Sequence, residues 1–222
     1  SGYWFKSMNT LSMVGVSVPL ALAIGFGLGV LGAKSARANR VLQPILDLMQ
    51  TIPTFAYLAP LVVLFGFGPV PGVLASMIYA APPMARNVMV GLSSVPAELR
   101  EVAAMSGTTA WQRFCNIELP HAKQQILVGI NQLVLASLSM VIIAAVIGGF
   151  DDIGREVLVA TNKGSARFGQ ALGAGIVIVL LAVVIDRLTR AAATNHDRAL
   201  LPPAQARLWL GIGATGLLVL NF

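Results

Sequence analysis

Few side chains in this 222-residue chain can do chemistry, and their spacing excludes most of it. Cys115 is the single cysteine, so no internal disulfide can form. His121 and His196 stand apart from any Cys, His or carboxylate cluster, which argues against a metal centre. No G-x-x-x-x-G-K-[ST] stretch is present, so the chain has no phosphate-cradling loop for ATP. No nucleophile or metal constellation suits a membrane-embedded enzyme.

Binding chemistry is better represented. Gln50, Thr51, Phe55 and Tyr57 cluster around Pro53, and Tyr79 follows in the next apolar run. Aromatic faces attract a desolvated cation by about 0.5–2 kcal/mol each. Aromatics in a helix bundle also serve as packing or interface anchors, and that is the simpler account. Asn131, Gln132, Ser137 and Ser139 put polar groups into another apolar run. Asn131 and Ser139 are eight residues apart, which predicts a shared face pointing into the bundle or a path, not to lipid. Asp47 reads as a solvated residue, with pairing to Arg86 or Lys34 as the alternative. Arg86 follows Pro82-Pro83, where a bend is expected.

The elements that must position these residues are apolar. Hydrophobic residues make up 56% of the chain and charged ones 11%, against about 25% charged in soluble domains. Mean hydropathy is +0.79. Continuous apolar runs, not alternating ones, predict an all-α polytopic membrane bundle, not a β-barrel. Spans are expected at 11–33, 42–67, 70–92, 126–149, 171–188 and 208–222. The first would cover about 34 Å at 1.5 Å per residue. Gly25, Gly27 and Gly29, with Gly173 and Gly175, are expected to allow close helix approach. The chain starts without methionine and stops within an apolar run, which reads as a piece of a longer polypeptide.

A net charge of +6 would raise nucleic acid as a partner of a soluble protein; here its placement says otherwise. Lys34, Arg37 and Arg40 follow the first span. Arg100, Arg113 and Lys123 follow the third, and Arg187, Arg190, Arg198 and Arg207 the fifth. Lysine and arginine favour the cytoplasmic side, so the amino end is expected outside. The loop Phe150–Gln170 then lies outside, with Asp151, Asp152 and Glu156 against Arg155, Lys163 and Arg167. It is either a landing surface for an external protein or a solvated loop.

One long polar insert, 93–125, interrupts this pattern on the cytoplasmic side. Pro96 and Glu98 suit a helix start. Gly107 suits a left-handed stop. Thr109-Ala110-Trp111-Gln112 predicts a capping box. Trp111, Phe114 and Cys115 share a face in the second short helix, and Pro120 is expected to end that helix and start the next span. Helices this short need a support. They dock on the chain's own helix ends, in the headgroup layer, or in a groove on a separate protein.

Glu101, Ala103, Gly107, Ile117, Leu119 and Pro120 reproduce the pattern E-A-A, three residues, G, nine residues, I-x-L-P, with Val102 in place of the second alanine. This resembles the signature loop of permease subunits of binding-protein-dependent ABC importers. LDLMQTIPTFAYLAPLVVLFGFGPVPGV, IYAAPPMARNVMVGLSSVPAELREVA and NQLVLASLSMVIIAAVIGG are similar to the glycine betaine/proline branch, and the resemblance runs from about Thr10 to Thr189. The resemblance implies a type I importer permease fold. The loop is then a coupling helix held by an ATP-binding cassette subunit, which binds ATP and Mg; the coupling residues are Glu101, Ala103, Gly107, Trp111, Ile117, Leu119 and Pro120. It implies an external substrate-binding protein and a second permease copy or fused homologous half in a bacterial inner membrane. The solute class would be glycine betaine, proline betaine, choline, carnitine or trimethylamine oxide. The rival, a secondary transporter or channel, predicts inverted repeats and buried ion-coupling carboxylates, and neither is seen.

Overall fold

The computed structural model describes residues 2–148, 150–162 and 168–194. The expected span 208–222, with Lys163, Arg167, His196, Arg198 and Arg207, lies outside the described residues. Everything regular within them is helical.

Helix α1, Gly2–Lys34, is apolar around its circumference. Ser35 then starts α2, Ala36–Thr51, by accepting a hydrogen bond from the Ala38 N–H at 3.3 Å. The expected continuous span 42–67 is instead broken. Ile52 precedes Pro53, and the proline ring excludes the helical region for the residue before it. Ile52 is accordingly extended, at φ −67° and ψ 127°. The next helix, α3 (Thr54–Phe65), leaves at 90° to α2. The Tyr57 hydroxyl donates across this corner to the Met49 carbonyl and ties it shut.

Helix α4, Pro69–Ser93, runs through Pro82-Pro83 without a break. The backbone around the prolines is supported by burial: Ala80, Ala81, Pro82, Met84 and Ala85 are all buried. α4 lies between α1 and α7 (Leu119–Gly148), and their shared core holds Ala21, Met84, Val88, Ile126 and Leu133. A short amphipathic helix, α8 (Ile153–Asn162), and α9 (Phe168–Thr194) complete the described bundle.

Small residues set the helix spacing. A β-carbon at Gly29 would sit 2.5 Å from Val88 Cβ and 2.8 Å from the Ala85 carbonyl oxygen. One at Gly25 would sit 2.7 Å from the Ala81 oxygen. Three serines join the same helices deeper in the bundle. Ser17, Ser76 and Ser137 are fully buried, one each from α1, α4 and α7. Ser137 Oγ lies 2.7 Å from both partners, so each hydroxyl is satisfied without water.

Among the described residues, three helical stretches are long and apolar enough to cross a membrane: Tyr3–Lys34, Ala110–Ile147 and Gly169–Ala191. The bent α2–α3 pair makes a fourth if counted as one span. α4 is not among them, because its prolines, Arg86 and Asn87 dilute its apolar run. Leu20, Ile24 and Leu31 on α1 and Leu172, Ile176, Val179 and Val183 on α9 are exposed. Stripes of this kind suit lipid, not water.

Candidate functional site

The polar insert folds into a compact handle on the end of the α4–α7 pair. Its first helix, α5, spans Ala97–Met105, with Glu98 in the first turn. Gly107, at φ +68°, stops it. The Gly107 N–H donates to the Ala104 carbonyl at 3.1 Å, and the Thr108 hydroxyl donates to the Ala103 carbonyl at 2.6 Å. The Ala103 and Ala104 carbonyls at the end of α5 are thereby satisfied. Thr109 then opens α6, Ala110–Arg113, through a reciprocal capping box with Gln112.

Pro120 starts the next long helix but does not interrupt the helical course. A π-turn, Phe114–Glu118, joins α6 to α7, and Pro120 lies in the first turn of α7. The Leu119 N–H bonds to the Phe114 carbonyl, five residues back. This wider turn admits a residue that has no N–H to donate and whose ring crowds the preceding turn. The helical course therefore runs on from the handle into the bundle with no flexible joint.

The expected apolar face of Trp111, Phe114 and Cys115 divides. Phe114 is buried in the bundle core and Cys115 is half-buried beside it. Trp111 leans on Phe114, with ring centroids 5.9 Å apart, but is 71% exposed. Ala103 is buried, while Glu101 is exposed. Leu99, Val102 and Met105 add to the exposed apolar surface, Met105 at 89%. Ile117 and Leu119 are half-buried and Pro120 is exposed.

Inside the handle lie groups that the sequence pattern passed over. Glu118 fills the unspecified position of I-x-L-P and its side chain is 12% exposed. Its carboxylate lies 3.4 Å from Arg113 Nε and 3.8 Å from Arg100 Nε. Arg100 Nη2 also donates to the Leu92 carbonyl at 2.7 Å. Lys34, a possible partner of Asp47 on sequence grounds, instead sits over the Phe114 ring at 4.1 Å. Asp47 pairs with Arg86 while its own side chain stays 61% exposed, so it is both solvated and partnered.

The solute-path candidates do not converge in one place. Tyr57 and Tyr79 meet edge to face at 5.9 Å. Gln50, Thr51 and Phe55 are exposed, and the 90° corner sends Phe55 off on a different axis from Gln50. Ser139 is exposed, so it does not share the interior with Asn131, which is half-buried with its Oδ1 unpartnered. The neighbouring position, Ser137, is the interior one, facing Ser17 and Ser76. Gln125, Asn87 and Gln132 form a second polar ladder between α4 and α7, at 2.7 and 2.8 Å. Two apolar grooves, of about 530 Å³ between α8 and α9 and about 510 Å³ between α1 and α7, are lined by none of the path candidates. No group of His, Cys, Asp or Glu among the described residues is placed to hold a metal ion.

At the other end, the α7–α8 corner is pinned to the start of α1. Asp152 is fully buried and accepts from the Thr10 hydroxyl at 2.6 Å and the Gly154 N–H at 3.2 Å. Lys6 pairs with Glu156, and Asn9 Nδ2 donates to the Asp151 carbonyl at 2.9 Å. Burial pushes the Asp152 carboxyl above its ordinary value of 3.8, against the lowering effect of these hydrogen bonds. The folded protein thus binds this proton more tightly than the unfolded chain. Stability from this group is present below about pH 4 and declines as pH rises through the folded value. Asp152→Asn is expected to flatten that slope, read as unfolding temperature against pH from about 4 to 7.

Residues 25–200 match the family described as "Binding-protein-dependent transport system inner membrane component". The glycine betaine transport system permease protein OpuAB of Bacillus subtilis (strain 168) is 41% identical over 189 residues, covering 85% of this chain and 66% of that one. The glycine betaine/proline betaine transport system permease protein ProW of Escherichia coli (strain K12) is 39% identical, covering 100% of this chain and 60% of its own length. The trimethylamine N-oxide transport system permease protein TmoV of Ruegeria pomeroyi is 41% identical, covering 86% of this chain and 28% of its own. The chain thus spans 66% or less of these relatives. Among solved structures, the MetNI methionine ABC transporter in an inward facing conformation aligns at TM-score 0.72 and 20% identity, over 90% of this chain and 96% of that one. An amino acid ABC transporter aligns at TM-score 0.69 and 18% identity, over 90% and 94%.

Proposed function

Because the chain belongs to the family of binding-protein-dependent transport system inner membrane components, we propose that it is the permease of an ATP-driven importer for small quaternary amine or zwitterionic osmolytes. It is a multi-pass bacterial membrane protein with the helix bundle of type I ABC importer permeases. The handle is the part that receives work. It projects from the α4–α7 pair and presents Leu99, Val102, Met105 and Trp111 beside the exposed Glu101. Apolar side chains so exposed on a polar loop call for a protein partner. In this reading the partner is an ATP-binding cassette ATPase, which holds ATP and Mg²⁺. Glu101, Ala103, Gly107, Trp111, Ile117, Leu119 and Pro120 shape the joint.

The mechanism follows from the rigid join between handle and bundle. When two ATPase subunits close on nucleotide, each carries its handle with it. The π-turn passes that displacement to α7, and the 94–96 corner passes it to α4. The bistable element is the contact between two permease units, either identical chains or fused halves, open to one side and then the other. A binding protein delivers the solute from outside, where the amino end of this chain also lies. Glycine betaine, proline betaine, choline, carnitine and trimethylamine oxide share the chemistry. The transit site needs little affinity, and Gln50, Thr51, Phe55, Tyr57, Tyr79, Asn131 and Ser139 are its candidate lining across the assembled complex.

The single observation that carries this reading is the exposed apolar face of the handle. Co-expressed with its ATPase, the full-length permease is expected to retain that subunit through purification. Met105→Asp with Trp111→Asp is expected to weaken retention by about 30-fold or more, as for loss of a hot-spot aromatic, with elution of the permease unchanged. Uptake that proceeded without nucleotide, or a wild-type chain that held no ATPase, would refute the proposal.

A further inference from the structure

Glu118 is the only acidic side chain at the centre of the handle among the described residues, and two cations converge on it from different elements. Arg100 comes from α5 and Arg113 from α6, while Glu118 itself closes the π-turn that leads into α7. Arg100 goes further: its Nη2 donates to the Leu92 carbonyl, one of those at the end of α4 that have no helical partner. A single carboxylate therefore links four helical segments.

This arrangement solves a mechanical problem. α5 is joined to its neighbours by two weak points, the Ser94–Pro96 corner and the left-handed Gly107. Left to the backbone alone, α5 would swing about both, and a push on its exposed face would be absorbed there. The carboxylate is 12% exposed and the arginines 42% and 37%, so solvent screens the pairing in part, though less than for a pair exposed on both sides. Arg100 Nε and Arg113 Nε have no hydrogen-bond partner of their own. Their attraction to the carboxylate opposes any motion that carries α5 or α6 away from the π-turn. Removing the carboxylate leaves two like charges converging on an empty place, so the handle is expected to loosen actively.

We propose that Glu118 is a positioning residue: with Arg100 and Arg113 it forms a strut that makes the handle and the ends of α4 and α7 one rigid lever, so that ATPase motion reaches the bundle. This rests on the importer reading above. It assigns Glu118 no contact with solute or with the ATPase.

The test uses the assembled permease–ATPase complex in proteoliposomes, with the external binding protein and glycine betaine as the probe solute. Glu118→Ala and the shape-keeping Glu118→Gln are compared with wild type. Spin labels at Glu98→Cys on α5 and Asn116→Cys in the π-turn, in a Cys115→Ser background, report the spread of handle distances. Both variants are expected to keep the ATPase bound and hydrolysing, to widen the distance distribution, and to lower solute moved per ATP by about tenfold, Ala more than Gln. An unchanged distribution in both variants overturns the strut. Unchanged solute per ATP overturns the lever, and so does loss of the ATPase subunit, which would place Glu118 in docking. A wild-type complex that does not couple ATP to uptake sinks the importer reading alone, because the distance distribution still reads the strut.

Discussion

Gly29→Leu is expected to abolish the folded bundle, while Gly27→Leu, two residues away, is expected to leave it intact. The contrast comes from where each β-carbon would go. At Gly29 it meets Val88 Cβ at 2.5 Å and the Ala85 carbonyl oxygen at 2.8 Å. Neither atom is the loose end of a side chain, and Val88 and Ala85 are themselves fully buried. α1 must then move away from α4, taking Gly25 and Ala81 out of register with it. Ordinary overpacking costs roughly 1–3 kcal/mol. Here the cost exceeds that range, because backbone blocks the relaxation and the small-residue contact is what holds these helices together in lipid. At Gly27 a β-carbon meets nothing within 4 Å. Unfolding temperature and elution profile in detergent read the difference. Equal behaviour of the two variants would mean that α1 does not pack on α4 through this stripe.

Substitution at Gly107 should do the opposite, sparing the fold and removing function. Its φ of +68° costs an ordinary L residue about 1–2 kcal/mol, and a β-branched one more. Nothing lies within 4 Å of a β-carbon there, so the penalty is conformational and not steric with neighbours. ATP-driven uptake is expected to fall in the order Gly, Asn, Ala, Val, because asparagine tolerates the left-handed region best among the three replacements. Gly107→Val should lose about tenfold or more while its unfolding temperature stays within a few degrees of wild type. A flat series would mean that the corner between α5 and α6 does not set the handle's shape in the working complex.

Much of the handle is written in local sequence. The helix from Ala97 to Met105, the left-handed stop at Gly107 and the Thr109–Gln112 capping box each depend on residues within one or two turns. Such signals survive whatever surrounds them. The π-turn was not legible, since Pro120 ordinarily marks an end and only the fit of Phe114 into the core pays for continuing the helix. Likewise Pro53 was visible as a proline inside an apolar run, but neither the 90° departure of α3 nor the Tyr57–Met49 bond across the corner was.

The sequence by itself determined the class of this protein: apolar runs too long for a soluble core, a membrane bundle, and a polar handle with a recognisable spacing. Composition and short-range pattern suffice there, because lipid demands internally bonded backbone along every span. Tertiary structure alone decided which polar residues meet. Ser137 faces inward and Ser139 outward, Asp47 finds Arg86, Asp152 is buried against Thr10, and Glu118 gathers Arg100 and Arg113. Those partners lie up to 142 residues apart in the chain. Their meeting depends on how whole helices rotate and cross, which side-chain volume across the interface fixes and local periodicity does not.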